Sequence, residues 1–344
     1  MTHIAADRLR GIVADVLQGA GAPRGTAARI AESLVLSSLV GHDSHGVRAV
    51  PGYAEALEKG TANPHGQIAV VKQTATTAVI DAGLAMGILA MDRATEMAVE
   101  KARAHDLGMV VVRNAAHTGR MGEYVVRAAQ EGFMGLVFGT GAQPGGTVAP
   151  YLGISPRFNS NPIAWGVPGG RHPPVFFDFA TSAAAVAKLM LAQDKDQQVP
   201  AGWLVGPDGG PTTDPRDWQR GGALLPFGGH KGYGFVFLIE LLSGGLSGMS
   251  CAPLADYQPN FSAVMMAVNI EAFQPLARFR DMADRLVDAA KEARRAPGVE
   301  EILVPGEMEW KTLARRTAEG LDIPDVTWQQ IVAAGARHGV EVRA

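Results

Sequence analysis

The feature that most constrains the fold is a change in the spacing of apolar residues after Pro64. Before it the spacing is helical, and after it short strand patterns alternate with helix patterns. Apolar residues before that point recur at helical spacing, and Gly19 and Gly21 predict the end of the first helix. The β-branched runs IAVV, TTAVID and MVVVRN predict strands, with a helix over about 88–105 before the last of them. Such alternation is typical of a sheet layered with helices. We therefore predict an α/β fold with a smaller helical region ahead of it.

The remaining elements continue these two patterns. A second helix over roughly 27–40, with Thr26 as its N-cap, and a third between Pro51 and Gly60 complete the N-terminal region. LVFGTG, PIAWGVP and VFFDFA predict strands, and an Ala-rich helix is expected from about Ser182. A long helix after GGHKGYG, the strand SAVMMAVNI and a mostly helical final stretch follow. At 344 residues the chain is long enough for two domains.

Charge and cysteine content limit the possible partners. The formal net charge of −3 and the lack of a Lys/Arg block argue against nucleic acid. A lone Cys251 allows no internal disulfide and suits a reducing compartment, so we expect a cytoplasmic protein. Asp7 and Asp15 interrupt the apolar stripe of the N-terminal stretch, unlike a signal peptide. FVFLIELL is too short to span a bilayer, so no membrane partner is expected.

The many glycines do not form a known nucleotide-binding fingerprint. The nearest match to G-x-G-x-x-G is GTGAQPGG at 139–146, where Pro144 takes the sixth position and no helix pattern follows. No phosphate-loop motif is present either. If a nucleotide binds, it does so without a Rossmann turn.

The stretch GHDSHGVR is the densest group of polar side chains in the sequence. His45 suits proton exchange near neutral pH, Ser44 suits a hydrogen bond to the same oxygen, and Arg48 suits a bidentate grip on a carboxylate. Two other readings stay open. His45 can be a helix-terminal residue that satisfies carbonyl groups, and His42 with His45 can be metal ligands three positions apart.

Three further polar residues stand in positions typical of function. His117 follows a buried strand in NAAHTGRMGEY, although a surface histidine is the alternative. Asp178 has apolar neighbours in VFFDFATS, which predicts burial and a partner: an imidazolium, or the amides at the next helix start. We predict that it meets His45 across the pocket. Lys231 lies between glycines, suited to a phosphate or carboxylate or merely exposed on a turn.

Motifs along nearly the whole chain resemble the type-2 malate/L-lactate dehydrogenase family, which includes ureidoglycolate dehydrogenase, sulfolactate dehydrogenase, diketogulonate reductase and piperideine/pyrroline-2-carboxylate reductase. They occur in the family's order: DSHGVR with PGY, NAAHTGRMGEY, SNPIAWGVP, FDFATS, VPAGWLVGPDGGPTTDP, LPFGGHKGYGF with LLSGGLSG, and VPGEMEW. The resemblance implies NAD(P)-dependent interconversion of a 2-hydroxy acid with a 2-oxo acid, or of a cyclic imino acid with its amine. It also implies a cofactor site that is not a Rossmann turn.

The resemblance assigns roles to matching positions. Ser44 and His45 match the catalytic pair, Arg48 the carboxylate binder, His117 a second pocket histidine or the base itself, and Asp178 the carboxylate that supports the catalytic histidine. The expected contacts to NAD or NADP are Thr181, Ser182, Lys231, Gly232, Gly306 and Glu307. The segments GTGAQPGGTVAPYLG and NSNP depart from the family's usual pattern, which affects the identity of the substrate and not the type of reaction.

The family's fold implies a non-Rossmann NAD(P)-binding domain with a largely antiparallel or mixed sheet, plus a smaller helical domain. We expect the helical domain at 1–66, completed by helices at about 228–255 and 308–344, and the α/β cofactor-binding domain at 67–307. A homodimer with its active site between domains is expected, and no metal. The competing hypotheses are a metal-dependent hydrolase or lyase that uses His42, His45, His117 and Asp178 as ligands, and a non-catalytic carboxylate-binding protein.

Overall fold

A computed structural model describes residues 1–141, 143–194 and 196–344 of the chain. Ala142, inside the glycine-rich stretch GTGAQPGG, lies outside the described residues. The strands are β1 Thr2–Ile4, β2 Ala69–Gln73, β3 Thr77–Asp81, β4 Leu107–Ala115, β5 Phe133–Thr140, β6 Pro162–Val167, β7 Val175–Ala180, β8 Leu204–Val205, β9 Pro211–Thr212, β10 Ala223–Leu224, β11 Phe261–Asn269 and β12 Leu321–Ile323. The helices are α1 Ala6–Gly19, α2 Arg24–Leu39, α3 Val50–Glu58, α4 Gly87–His105, α5 Gly122–Gln130, α6 Val186–Asp194, α7 His230–Ile239, α8 Leu276–Lys291, α9 Glu307–Glu319 and α10 Asp325–Arg337.

Seven strands form the main sheet, in the order β2-β3-β4-β11-β5-β6-β7. Only β3 and β4 run parallel, and the other five neighbouring pairs are antiparallel. The predicted mixed, largely antiparallel sheet is therefore confirmed. It is not the doubly wound parallel sheet of a Rossmann domain.

The centre of this sheet is buried on both faces, which explains the uninterrupted apolar runs in its strands. Met265 of β11 lies opposite Val110 on one side and Val137 on the other, and all three are fully buried. Apolar residues of α4 and α5 pack over this face. On the other face, Val264 packs in a cluster with Ile239, the last residue of α7.

The N-terminal helices form a separate apolar core, and the C-terminal segment joins it. Buried residues of α1, α2 and α3 pack with Leu321 of β12 and Ile331 of α10. Strand β1 pairs antiparallel with β12, so the two ends of the chain meet. The last part of the chain thus packs in the same core as the N-terminal helices. The buried Val236 and Ile239 of α7 pack in two other clusters beside the sheet.

A small third group of elements lies between β7 and α7. Strands β10, β8 and β9 form a three-stranded sheet, and its residues share an apolar cluster with Val236 of α7 and Leu189 of α6. Helix α7 continues into a π-helical turn over residues 240–245. Within the described ranges, no helix combines the length and apolar character needed to cross a membrane.

Two helix starts differ from the prediction. Helix α2 begins at Arg24 after Pro23, so Thr26 lies in its first turn and is not the N-cap. Helix α6 begins at Val186, later than predicted, because the Ser182 hydroxyl donates to the Ala184 carbonyl and holds the preceding residues in a turn.

A network of charged side chains ties the helical region to the sheet region. Arg29 of α2 donates two hydrogen bonds to Asp92 of α4, at 2.7 and 2.9 Å, and another to Glu123 of α5. Ser33 of α2 also donates to Glu123, and Arg127 of α5 donates to Asp92. Because α2 leads into GHDSHGVR and α5 follows the His117 loop, this network positions one half of the candidate site against the other.

Candidate active site

The GHDSHGVR motif forms two short 3-10 turns directly after α2, one over Asp43–His45 and one over Val47–Ala49. A Cβ at Gly46 would lie 2.1 Å from the Ser38 hydroxyl oxygen, so only glycine allows the loop to pack this closely on α2. That hydroxyl accepts a hydrogen bond from the Val47 amide at 3.1 Å. The motif is thus held firmly on the end of the helix.

The structure brings His45 and His117 together from distant parts of the sequence. Their rings stack with centroids 5.8 Å apart and planes 25° from parallel. Ser44 Oγ and His45 Nδ1 are 3.0 Å apart, within hydrogen-bond distance. The other ring nitrogen of His45, Nε2, is then the one available for a reacting molecule.

The hydrogen bonds of His117 identify its protonation state. The Gly119 amide donates to His117 Nδ1 at 3.2 Å, so this nitrogen carries no proton. The hydroxyl of Tyr53 lies 2.6 Å from the same nitrogen and must therefore donate to it as well. The ring is a neutral imidazole with its proton on Nε2. Tyr53 was not among the predicted site residues, and its only sequence signal is the PGY motif.

The two imidazoles differ in their electrostatic surroundings. Burial, with a smaller effect from His45, lowers the pKa of His117 to about 3. Burial also lowers the pKa of His45, but there the negative charge of Asp178 acts in the opposite direction. His42 and Arg120 add to the lowering. His45 is therefore the imidazole of the pair with a carboxylate that favours its protonated form.

Asp178 is close enough to influence His45 but does not bond to it. Its Oδ2 accepts a hydrogen bond from the Gly122 amide, at the start of α5, at 2.7 Å. Within the described residues, neither a hydrogen bond nor an ion pair joins Asp178 to His45, so the predicted direct contact is absent. Asp178 is also only half-buried, because β7 is an edge strand and its neighbour Phe177 is exposed.

The low pKa of His117 predicts an acid-sensitive contribution to stability. The folded state holds this ring neutral down to about pH 3, whereas the unfolded chain protonates it near pH 6.5, so stability falls as the pH drops through that window. In His117→Asn, the amide oxygen still accepts from Gly119 and Tyr53 but does not titrate. Denaturant unfolding at pH 7, 6 and 5 should show a smaller loss of stability in the variant than in the wild type. The exposed His65→Asn serves as the control, and equal losses in all three proteins would contradict the assignment.

His42 and Arg48 lie three residues before and three residues after His45 in the GHDSHGVR motif. Arg48 is half-buried in the second 3-10 turn, one turn beyond His45. His42 Nε2 lies 3.0 Å from a carboxylate oxygen of Glu309 on α9, and this hydrogen bond lowers the pKa of Glu309. His42 is thus engaged with α9. In the part of the chain that the structure describes, no group of three His, Cys, Asp or Glu side chains is arranged to hold a metal ion.

Two of the expected cofactor segments meet just beyond the end of β7. The Thr181 carbonyl accepts a hydrogen bond from the Phe227 amide at 3.0 Å, and the Phe227 carbonyl accepts one from Gly232 at 3.0 Å. A Cβ at Gly232 would lie 2.2 Å from that carbonyl oxygen, so the backbones approach closely here. The hydroxyls of Thr181 and Ser182 both donate to backbone carbonyls, while Lys231 is exposed at the start of α7.

The third expected segment lies against the middle of β7. Gly306, with a φ of +85°, precedes α9, and a Cβ there would lie 2.7 Å from the Phe176 ring. Glu307 accepts hydrogen bonds from Lys291 and pairs with Lys311, and these cations hold its pKa down at about 2 although burial opposes them. Glu307 also borders a cleft of about 310 Å³.

The three expected cofactor segments share one strand as a neighbour. All three adjoin β7, the strand that carries Asp178, and they combine close backbone approach with an exposed lysine and an adjacent cleft.

Arg120 is a second residue that the sequence did not reveal as part of the site. It lies in the turn between His117 and α5, its side chain is buried, and its Nε and Nη1 have no hydrogen-bond partner. Its charge lowers the pKa of both His45 and Glu309. No pattern in NAAHTGRMGEY indicates that this arginine is buried.

Comparisons with known proteins show what the whole chain is similar to. The malate/L-lactate dehydrogenase family profile matches residues 4–332. The malate dehydrogenase of Pyrococcus horikoshii is 32% identical over 97% of this chain and 95% of its own length. The L-sulfolactate dehydrogenase of Methanocaldococcus jannaschii is 34% identical over 93% of this chain and 92% of its own. The crystal structure of malate dehydrogenase from Entamoeba histolytica superposes with a TM-score of 0.93 at 27% identity, covering 100% of this chain and 99% of that one.

A profile match over nearly the whole chain, and relatives above 30% identity along almost their full length, identify the family. The predicted resemblance is confirmed. The chain belongs to the malate/L-lactate dehydrogenase family, and it is a dehydrogenase that uses a nicotinamide cofactor.

Proposed function

We propose that this enzyme interconverts a small 2-hydroxy acid and the corresponding 2-oxo acid at the His45–His117 pair, using NAD or NADP. The observation that best supports the proposal is the pair of stacked imidazoles. His117 is held as a neutral hydrogen-bond donor, and His45 lies within the electrostatic influence of the Asp178 carboxylate. Two relatives are named for malate and L-sulfolactate, which are both 2-hydroxy acids.

Each side chain has a distinct task in the reduction of a carbonyl. The nicotinamide, when bound, supplies the hydride. His117 Nε2–H donates a hydrogen bond to the substrate oxygen, and His45 Nε2 delivers the proton to that oxygen. Ser44 holds the His45 ring through Nδ1, and Arg48 binds the substrate carboxylate with its planar fork. Thr181, Ser182, Lys231, Gly232, Gly306 and Glu307 are the proposed contacts of the cofactor.

The decisive experiment is a turnover assay with a panel of substrates. The protein is mixed with NADH or NADPH and oxaloacetate, pyruvate, 2-oxobutanoate, sulfopyruvate or a cyclic imino acid, and the loss of reduced-nicotinamide absorbance is followed. We expect oxidation with at least one 2-oxo acid. Turnover of the imino acid alone would move the reaction to C=N reduction. Thermal stabilisation by these acids without any turnover would instead support a non-catalytic carboxylate-binding protein.

The Asp178→Asn variant tests which imidazole transfers the proton. Asp178 raises the pKa of His45, so its neutralisation should lower that pKa further. Reduction requires protonated His45, and its kcat/KM falls as the pH rises through this pKa; in the variant that fall should occur at lower pH. Asn still accepts from Gly122, so the fold should persist. Asp256→Asn, on an exposed loop, is the control. An unmoved pH profile in Asp178→Asn would favour His117 as the proton donor.

We further propose a cytoplasmic homodimer. The single Cys251 is a free thiol, which suits a reducing compartment. Helix α7 and the turn after it expose several large apolar side chains, namely Phe235, Phe237, Leu238 and Leu241. An apolar surface of this kind is typical of an interface between subunits. Light scattering coupled to size-exclusion chromatography should give twice the chain mass, and a monomer would contradict the proposal.

A further inference from the structure

Arg120 carries a buried guanidinium, and two of its three nitrogens have no hydrogen-bond partner in the described structure. Its residue is 4% exposed, and both Nε and Nη1 are buried without a hydrogen-bond partner. Among the described residues, Arg120 forms no ion pair. Removing a guanidinium from water without a counter-charge is costly, so proteins seldom keep such a group without a purpose. An arginine in this state is suited to receive an anion that arrives with a ligand.

The local geometry places this cation inside the candidate active site. A Cβ at Gly122 would lie 2.5 Å from Nη1 of Arg120 and 3.2 Å from Oδ2 of Asp178, so the cation and the carboxylate flank the same glycine. Asp178 is engaged by the Gly122 amide, and the nearby Glu309 is engaged by His42. Among the described residues, neither carboxylate forms a hydrogen bond or an ion pair with Arg120, so its Nε and Nη1 remain open to a further acceptor. The effect of Arg120 on the pKa of His45 agrees with this position.

The position of Arg120 also indicates which anion it receives. The proposed cofactor contacts at Thr181 and Lys231 lie on other loops, beyond the end of β7. Arg48 is the proposed partner of the carboxylate beside the reacting carbon. A substrate with one acidic group would therefore leave Arg120 unsatisfied, whereas a substrate with two would engage both arginines.

We propose that Arg120 is a specificity-determining residue that binds a second acidic group of the substrate, a carboxylate or sulfonate beyond the reacting carbon. This inference rests on the proposed 2-oxo acid reaction and narrows its substrates to dianions. Oxaloacetate and 2-oxobutanoate form a matched pair, because one ends in a carboxylate where the other ends in a methyl group. The enzyme prefers the first of them.

Turnover of the matched pair provides the first test. In the wild type, kcat/KM should favour oxaloacetate, and Arg120→Met should reduce that preference about 10–100-fold, as expected for a charge-assisted hydrogen bond to a buried group. Arg113→Met, which removes an arginine of β4 that is paired with Asp81 at 3.0 Å, should keep the preference. If Arg120→Met impairs both substrates equally, Arg120 binds the common carboxylate and the proposal is wrong.

Binding without turnover separates this inference from the proposed reaction. Succinate and propionate differ by the same second carboxylate, and neither can accept a hydride. Thermal unfolding of the protein, with and without NAD⁺ or NADP⁺, should show stabilisation by succinate over propionate that Arg120→Met abolishes. This result is informative even if no substrate turns over. If the wild type reduces 2-oxo acids but Arg120→Met is still stabilised more by succinate than by propionate, the proposed reaction stands and only the role of Arg120 is wrong.

The stability of the free protein distinguishes a ligand-binding arginine from a structural one. Methionine fills a similar volume without a charge, so Arg120→Met should unfold at a temperature no lower than the wild type. A structural arginine with an internal partner would instead lower the unfolding temperature when replaced. Such a decrease, together with retained succinate binding, would overturn the proposal.

Discussion

We expect His45→Ala to lower kcat for 2-oxo acid reduction by about 10²–10⁴-fold, the range typical of a lost general acid. His117 cannot replace it, because the low pKa of that ring, about 3, keeps it neutral at physiological pH. A methyl group at position 45 can neither deliver a proton nor stack against His117. Cofactor binding should change little, since the proposed cofactor contacts lie along and beyond β7. Steady-state kinetics gives kcat, and quenching of protein fluorescence by NADH or NADPH gives the cofactor Kd.

A comparison of three histidine variants shows whether this effect is specific. His65→Ala changes an exposed histidine and should behave like the wild type. His117→Ala should impair the reaction through loss of its fixed hydrogen bond to the substrate oxygen, but its remaining activity should keep the pH dependence caused by His45. If His45→Ala retains most of kcat and His117→Ala does not, the roles of the two imidazoles are reversed. A collapse of cofactor affinity in His45→Ala would assign that residue to cofactor binding.

The strands of the main sheet could be predicted from sequence because most of them are long and strongly apolar. β4 and β11 are largely buried on both faces, so their residues form nearly continuous apolar runs, and their β-branched valines favour a strand over a helix. The shortest elements had no such signal. β1 and β12 have three residues each and pair across almost the whole length of the chain, and β8, β9 and β10 have two residues each. No periodicity can develop over two or three residues.

The site residues could be predicted where several polar side chains are close together in the sequence. They could not be predicted where their role depends on tertiary packing. Ser44 and His45 are neighbours, so their hydrogen bond follows from adjacency. Asp178 was expected to be buried because its neighbours are apolar, but β7 is an edge strand with one open side. The burial of Arg120 results from the packing of the turn against α5 and β7. Sequence pattern alone does not contain that information.

The charge network between the helical region and the sheet leads to a large effect on stability. Arg29 is the cation that α2 contributes to this network, where it joins Asp92 to Glu123. The side chain of Glu123 is only 5% exposed, and that of Arg29 is 21% exposed. Both carboxylates hold the pKa of Arg29 above its usual value, against the effect of burial. The Arg29 guanidinium therefore stays charged throughout the range in which the protein is folded.

We expect Arg29→Met to lower the free energy of unfolding by about 3 kcal/mol, the lower end of the range for breaking a buried ion pair, because Arg29 keeps some contact with solvent. Glu123 would keep its hydrogen bond from Ser33 but lose its cation, while Asp92 would keep Arg127. Urea unfolding monitored by circular dichroism measures the loss. Arg24→Met, on the exposed surface of the same helix, is the control and should change the free energy by less than about 0.5 kcal/mol.

A double variant separates the charge effect from a packing effect. In Arg29→Met/Glu123→Gln the unpaired buried carboxylate is gone, so part of the lost stability should return. If the loss came from a packing defect, the double variant would be less stable than Arg29→Met.

The network also sets the spacing between the two halves of the site, because α2 carries the His45 loop and Glu123 directly follows Gly122, which holds Asp178. Arg29→Met should therefore reduce kcat even at temperatures where the variant is fully folded. If its kcat is unchanged there, the network contributes to stability alone, and the position of His45 relative to His117 is maintained by the Tyr53 hydrogen bond and the packing of Gly46 on α2.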